Sequence, residues 1–558
     1  MHDLIIKNAL ICDGLGSPLT PGSLAVSGNR IVAIGNDVGP ARQVIDAGGL
    51  VLAPGIIDTH THYDAQITWD PMVDPSPSLG VTTVVIGNCG FAIAPCKPED
   101  RDLTMHNLVR VEGMSMEALR AGINWSFESF PEYLQILERR GTGPNVAAFV
   151  GHSSVRTFVM GEDAPRRAAN DEEIRQMAAI VRDAMKSGAV GFATSTSPSH
   201  NGASGDPMPS RLADEREMST LVGVLGECNR GVFMLTKGGG TSVDTLESLA
   251  ADSGRPVVIA ALLHNSTRPN AVFEDLERIA AAQSRGRKLF GQVSCCPLTM
   301  EFTLEAPYPF EGIASWRPAM DAGDKLGSLL RDPDFRARVR KDLEEPVAVR
   351  LFNGEWDKLK VVEVNKPENR WLEGQTVKVA AEEAGVHPLD WLLDLSLDEE
   401  FQTTFAAVLL NSDEQAVGRL LTDPYSTIAL SDAGAHLTFF CDAGFGLHLL
   451  GYWVREKSLM PLEEAVRRLT SQPAEIFGIR DRGRLSEGAF ADLLLFDPAQ
   501  VNRGPARRAF DLPGGARRLT TDAVGVHGVW VNGKRIFDES GICAEGALPG
   551  VLLRDFAA

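Results

Sequence analysis

The chain has 558 residues, 44% hydrophobic and 23% charged, a composition that supports a large core with an accessory domain and excludes long disordered stretches. A formal net charge of −20 excludes nonspecific binding to a phosphate backbone, which rests on clustered Lys and Arg, so no nucleic-acid partner is expected. No apolar run approaches the ~18 residues a membrane span needs, and the N-terminus MHDLIIKNALICDG lacks a basic segment leading into an apolar one; neither a membrane partner nor a targeting signal is expected. The eight cysteines (Cys12, Cys89, Cys96, Cys228, Cys295, Cys296, Cys441 and Cys543) are scattered, which fits a reduced, cytoplasmic setting.

Residues 1–54 alternate short apolar runs with turns: LIIKNALIC, SLAVSGNRIVAIG and ARQVIDAGGLVLAPG. Residues 476–558 repeat the pattern in ADLLLFDP and VHGVWVNGKRIFDES. Neither set alone has enough strands to bury a face, so the two ends are expected to pair into a small β-sandwich.

Between them, eight short apolar segments recur, mostly followed by helical patterns: VLAPGIID, TTVVIG, NVAAFVG, AVGFATS, GVFMLT, PVVIAALL, KLFGQVS and STIALS. Alternating strands and helices imply a parallel sheet, and this number closes an α/β (β/α)8 TIM-type barrel over 55–475. The clearest helix follows NVAAFVG: Asn170 can cap it with Glu173, Ile174, Met177, Val181, Ala184 and Met185 share one face, and Gly188 ends it. A long segment near 97–145 interrupts the alternation, and another at about 297–375 reads as a lid or insertion between strands seven and eight.

Barrel active sites lie where strands end. Those ends carry His60 and His62, Cys89, His152, Thr194 and Ser195, Thr236 and Lys237, His264, Ser294 with Cys295, and Asp432. His60 and His62 stand two apart in DTHTHYD, so on an extended strand both imidazoles face one side and suit one metal ion; the plain alternative is a pair of polar loop residues. Asp58 is either a partner that orients an imidazole or an outward carboxylate. Cys89 is a thiolate ligand suited to zinc or a small buried cysteine. Asp432 could ligate metal and take a proton from an attacking water, or cap a following helix.

APGIIDTHTHYD, VTTVVIGNCG, VGHSSVR, the IALSDAGAH region and SQPAEIFGIRDRGRLSEGAFADLLLFDP together resemble the amidohydrolase superfamily, in particular its N-acyl-D-amino-acid deacylase (D-aminoacylase) branch, over nearly the whole chain. The resemblance implies the sandwich-plus-barrel fold, zinc and hydrolysis of an amide bond. It makes His60, His62, Cys89 and Asp432 metal ligands, with Asp432 also the general base and acid, and places His152 in the lining of the site, where a hydrogen-bonded structural histidine is the alternative.

The chain departs from that pattern where the family has metal-binding histidines at the ends of strands five and six. Thr236 and Ala261 stand there, with His264 a few residues later. The family's Lys after strand six and Tyr after strand seven, which hold the substrate carboxylate, are met here by Leu263 and the SCCP stretch. The ligand set for one ion survives complete, so one zinc per chain is expected, acidifying a water and polarising the scissile carbonyl. His264, Lys237 and His436 could help at the ion or oxyanion, or be ordinary loop residues. Arg211, in PMPSRLADE, could take a substrate carboxylate or make a surface ion pair, and Gly238–Gly240 reads as a flexible turn. The expected function is hydrolysis of a non-peptide C–N bond in an N-acyl amino acid or related acylated small molecule. A different bond cleavage by an altered homologue, or a non-catalytic metal-stabilised binding protein, are the alternatives. A homo-oligomer is the expectation from general frequency alone.

Overall fold

The computed structural model describes residues 1–202, 205–320, 322–345, 347, 350–543 and 546–557. It contains two compact units, one of Met1–Leu262, Asp275–Cys295 and Gly418–Ala558, the other of Leu263–Glu274 and Cys296–Val417.

In the first unit a parallel eight-stranded sheet runs in chain order through Ile56–Asp58, Val81–Ile86, Asn145–Gly151, Gly191–Ser195, Val232–Thr236, Val257–Ala260, Leu289–Val293 and Ser426–Ile428. These strands are buried almost throughout, as parallel strands covered on both faces must be. Just beyond the strands, a parallel bridge between Thr61 and Ala433 joins the first to the last and closes the ring as a TIM-type barrel.

All eight sequence segments supply a barrel strand, but VLAPGIID supplies two elements. Val51–Pro54 pairs antiparallel with Leu493–Phe496, whereas Ile56–Asp58 opens the barrel. The break falls at Gly55, where a Cβ would lie 2.1 Å from the Thr82 side chain; only glycine lets the chain pass so close to the second strand.

That antiparallel pairing merges both chain ends into one nine-stranded sheet. Leu4, Ile6, Leu24 and Val26 pack with Leu493, Leu495 and Trp530 in a single buried cluster, so neither terminal set is a separate body. The predicted helix forms as Asp171–Ser187, with the reciprocal Asn170–Glu173 cap and Gly188 closing it at φ 105°. The sequence pattern does not separate the short helix His152–Met160, which follows the third strand directly.

The second unit holds an antiparallel sheet of Leu298–Phe302, Thr404–Leu410 and Leu359–Glu363. The insertion expected at about 297–375 therefore runs on to Val417. The helices Val377–Ala384 and Pro388–Asp398 followed by an apolar strand imitate a barrel repeat, and periodicity alone cannot tell the two apart. Among the described residues no helix is long and apolar enough to cross a membrane.

Candidate metal centre

Three strand ends of the first unit converge. His60 and His62 flank Thr61, whose N–H donates to Val85 O at 3.2 Å, and the His62 N–H donates to Ala433 O at 2.8 Å. The bridge that closes the barrel is thus the same one that brings the histidine pair beside Asp432. Cys89 sits in a tight turn at φ 55°, next to Gly90, where a Cβ would come within 2.8 Å of Ala193 O. Leu430, Asp432 and His436 also hold left-handed backbone, at φ 65°, 45° and 55°. Each such non-glycine residue costs about 1–3 kcal/mol, and clusters of them are a mark of functional sites. No helix starts at Asp432 (the next is Phe445–His448), so it is not an N-cap.

The donor atoms of His60, His62 and Cys89 lie within 4.8 Å of one another. His60 Nε2 is 3.5 Å from Cys89 Sγ and 3.3 Å from Asp432 Oδ1, and His62 Nε2 is 3.7 Å from the same carboxylate oxygen. Donors bound at about 2.0–2.3 Å to a tetrahedral zinc stand about 3.3–3.8 Å apart, and these three separations fall in that range; the group whose donor atoms all lie within 4.8 Å of one another is His60, His62 and Cys89, and Asp432 approaches it through the two histidines.

The outer nitrogens face protein acceptors. His60 Nδ1 is hydrogen-bonded to Gln292 Oε1 at 2.7 Å, while His62 Nδ1 lies 3.1 Å from Glu112 Oε1 as an ion-pair contact without hydrogen-bond geometry, and the Nε2 atoms face Cys89 and Asp432. Asp58, in contrast, accepts the backbone N–H of His60 at 3.2 Å, and no hydrogen bond joins it to an imidazole among the described residues. Burial alone would push the Cys89 thiol up, yet the His60 and His62 imidazoles hold it below its usual range. Burial likewise opposes ionisation of Glu112 and Asp432, and the facing histidines outweigh it and keep both carboxyls below the ordinary value. Thr236, at the strand-five position, donates its hydroxyl to Cys89 Sγ at 3.1 Å.

The other sequence candidates separate. His152 is fully buried with both ring nitrogens engaged, Nε2 with Glu217 at 2.8 Å and Nδ1 with Thr194 Oγ1 at 2.7 Å, so neither is left for an ion or substrate. Lys237 pairs with Asp275 at 3.0 Å. His264 belongs to the second unit, where its N–H donates to Asn411 Oδ1 at 2.7 Å. His436 donates its backbone N–H to Glu112 O, and its buried Nδ1 has no hydrogen-bond partner among the described residues. Arg211 donates to His200 O at 3.0 Å and to Asn201 Oδ1, with no carboxylate partner among the described residues.

Sequence reasoning missed Glu112, Gln292 and His200. Two signals were present. Glu112 is the last residue of the helix Arg101–Glu112, where a negative charge opposes the helix dipole. Gln292 is a polar side chain inside the buried strand LFGQV, where an unpaired amide is costly.

A profile of the amidohydrolase family matches residues 43–305 and 368–537, and the chain belongs to that family. Within it, the relatives put the chain on the D-aminoacylase branch, among hydrolases of carbon–nitrogen bonds other than peptide bonds. It is 29% identical to N-acyl-D-aspartate deacylase of Alcaligenes xylosoxydans xylosoxydans over 563 residues, covering 99% of this chain and 95% of that one. A solved D-aminoacylase, described by its binuclear metal centre with one-metal activation and second-metal attenuation, is 26% identical with a TM-score of 0.68 over 100% of both chains. N-acyl-D-glutamate deacylase from Bordetella bronchiseptica, solved with zinc and a phosphonate mimic of the tetrahedral intermediate, is 26% identical at a TM-score of 0.67, covering 99% of this chain and 100% of that one.

Proposed function

We propose that the chain hydrolyses the amide bond of an N-acyl amino acid or a closely related acylated small molecule at a single zinc site formed by His60, His62, Cys89 and Asp432. The observation that carries this reading is the convergence of two Nε2 atoms, a sulfur and a carboxylate oxygen, with separations of 3.3, 3.5 and 3.7 Å. Thr236 supports one ion over two: where the family pattern has a histidine, a hydroxyl donates to the sulfur a second ion would share.

When bound, zinc would supply Lewis acidity, acidifying a water molecule and polarising the scissile carbonyl. Asp432 is half-buried and is the proton carrier, taking a proton from the attacking water and returning it to the leaving nitrogen. Gln292 and Glu112 keep the two imidazoles in the orientation their inner nitrogens need. Arg211 is the cation for a substrate carboxylate: burial lowers its pKa and no acid neutralises it among the described residues. His436, beside Glu112, lines the same site. The nine-stranded terminal sheet is read as the small β-sandwich of the fold, and the eight free cysteines support a reducing, cytoplasmic setting.

The test is turnover of paired N-acetyl-D- and N-acetyl-L-amino acids in 18O-water. Hydrolysis places label in the released acetate; consumption of substrate without labelled acid would indicate a different bond cleavage.

A further inference from the structure

The loop after the fourth barrel strand carries a histidine that the metal-site reading leaves without a task. His200 is held from several sides. Its Nδ1 is 2.7 Å from Ser195 Oγ, its carbonyl accepts from Arg211 Nη1 at 3.0 Å and from the Met208 N–H at 3.1 Å, and its ring stands edge-on to Phe91 at 4.9 Å. Phe91 is two residues beyond Cys89 and Ser195 ends a barrel strand, so the ring is pinned beside the thiolate turn. Fixing a loop imidazole this way costs side-chain entropy, yet its Nε2 has no partner among the described residues.

The hydrogen-bond pattern sets the tautomer. Ser195 Oγ accepts the Ser197 N–H at 3.1 Å, and the acceptor for its own proton among the described residues is His200 Nδ1. With the Ser195 hydroxyl donating to Nδ1, the hydrogen of the neutral ring sits on Nε2, and this is the tautomer the proposal takes. We infer that His200 is a catalytic residue that donates its Nε2–H to the oxygen of the scissile carbonyl as that oxygen gains negative charge, an inference that rests on the amide hydrolysis proposed above.

Burial holds the imidazole neutral by pushing its pKa down to about 4, and the charges that also reach it are those of Glu112, His436, His62 and Asp432, all groups of the metal centre. A neutral donor keeps its proton and pays no price for a buried charge. Stabilisation of this kind belongs to the transition state, where a preorganised donor is typically worth about 10²–10³ in kcat.

The experiment compares wild type, His200→Leu and His200→Gln in kcat, KM, zinc per chain, and Kd for two probes made from the amino acid of the best substrate: its N-methylphosphonyl derivative, which is tetrahedral like the intermediate, and the free amino acid. In His200→Leu, kcat is expected to fall about 10²–10³-fold with KM within about 3-fold. The phosphonate should bind at least about 10²-fold more weakly while the free amino acid binds as before, and zinc should stay at the wild-type level. His200→Gln, whose amide can still donate, should recover at least about tenfold of the loss. A His200→Leu enzyme with kcat within about 3-fold of wild type, an equal weakening of both probes, or loss of zinc would each overturn the role. If wild type hydrolyses no amide but His200→Leu still selectively loses the phosphonate, the functional reading fails while the donor stands. If wild type hydrolyses amides and the phosphonate binds both proteins equally, the donor fails alone.

Discussion

Two buried histidine clusters in the same barrel look alike in composition and differ in what they leave free. At the third strand, His152 meets Glu217 and Thr194 with its two nitrogens, and Arg156 pairs with the same Glu217, all within a fully buried network. At the first strand, His60 and His62 are also buried, but their Nδ1 atoms turn outward to Gln292 and Glu112 while both Nε2 atoms face the potential metal donors Cys89 and Asp432. In the first network Glu217 faces the Arg156 guanidinium and both His152 nitrogens are bonded, so no ring nitrogen is left over. In the second, donors with negative charge and lone pairs crowd together, which favours a cation. Burial and a nearby carboxylate are therefore poor signs of function by themselves; the informative feature is which nitrogen the protein leaves over.

The comparison can be broken at either end. The largest effect is expected from Asp432→Asn, which removes the proton carrier and one donor: kcat on the best N-acyl amino acid should drop about 10²–10⁴-fold, while far-ultraviolet circular dichroism stays native. In the closed network, Glu217→Ala strands His152 and Arg156 without their acid and should cost about 3–5 kcal/mol in urea unfolding, with zinc per folded chain unchanged. Should Glu217→Ala release zinc instead, the two clusters are not independent. Glu112→Ala frees the His62 ring and should weaken zinc binding about 10–100-fold in a competitive chelator titration, with little loss of folding stability in the zinc-loaded protein. Smallest of all, Asn170→Ala removes a helix cap outside both clusters and should cost about 1 kcal/mol, setting the scale of a purely structural change.

Much of the barrel and the proposed histidine pair can be read from the sequence because both follow from short-range rules. Apolar strand runs give the barrel segments, and the i, i+2 spacing of His60 and His62 needs only an extended backbone. The outer partners follow no such rule. Glu112 lies 50 residues from His62 and Gln292 lies 232 from His60, and each reaches its ring only through barrel closure. Cys89 and His152 both stand at the ends of apolar strands, and sequence leaves each with two readings. Their partners differ: the Cys89 sulfur faces two histidines, whereas His152 has both ring nitrogens bonded. The insertion's far end was hidden because its helices and strand repeat the barrel's own pattern. The split of VLAPGIID was hidden because the approach of Thr82 to Gly55 is a tertiary contact.

One zinc held by four side chains is the proposed core of the site. Its most direct test is to strip the protein of metal, titrate zinc back, and follow both bound metal by elemental analysis and amide hydrolysis. Hydrolysis is expected to reach its plateau at one equivalent per chain, and His60→Ala is expected to abolish that equivalent. Activity that rises until two equivalents are tightly bound would contradict it.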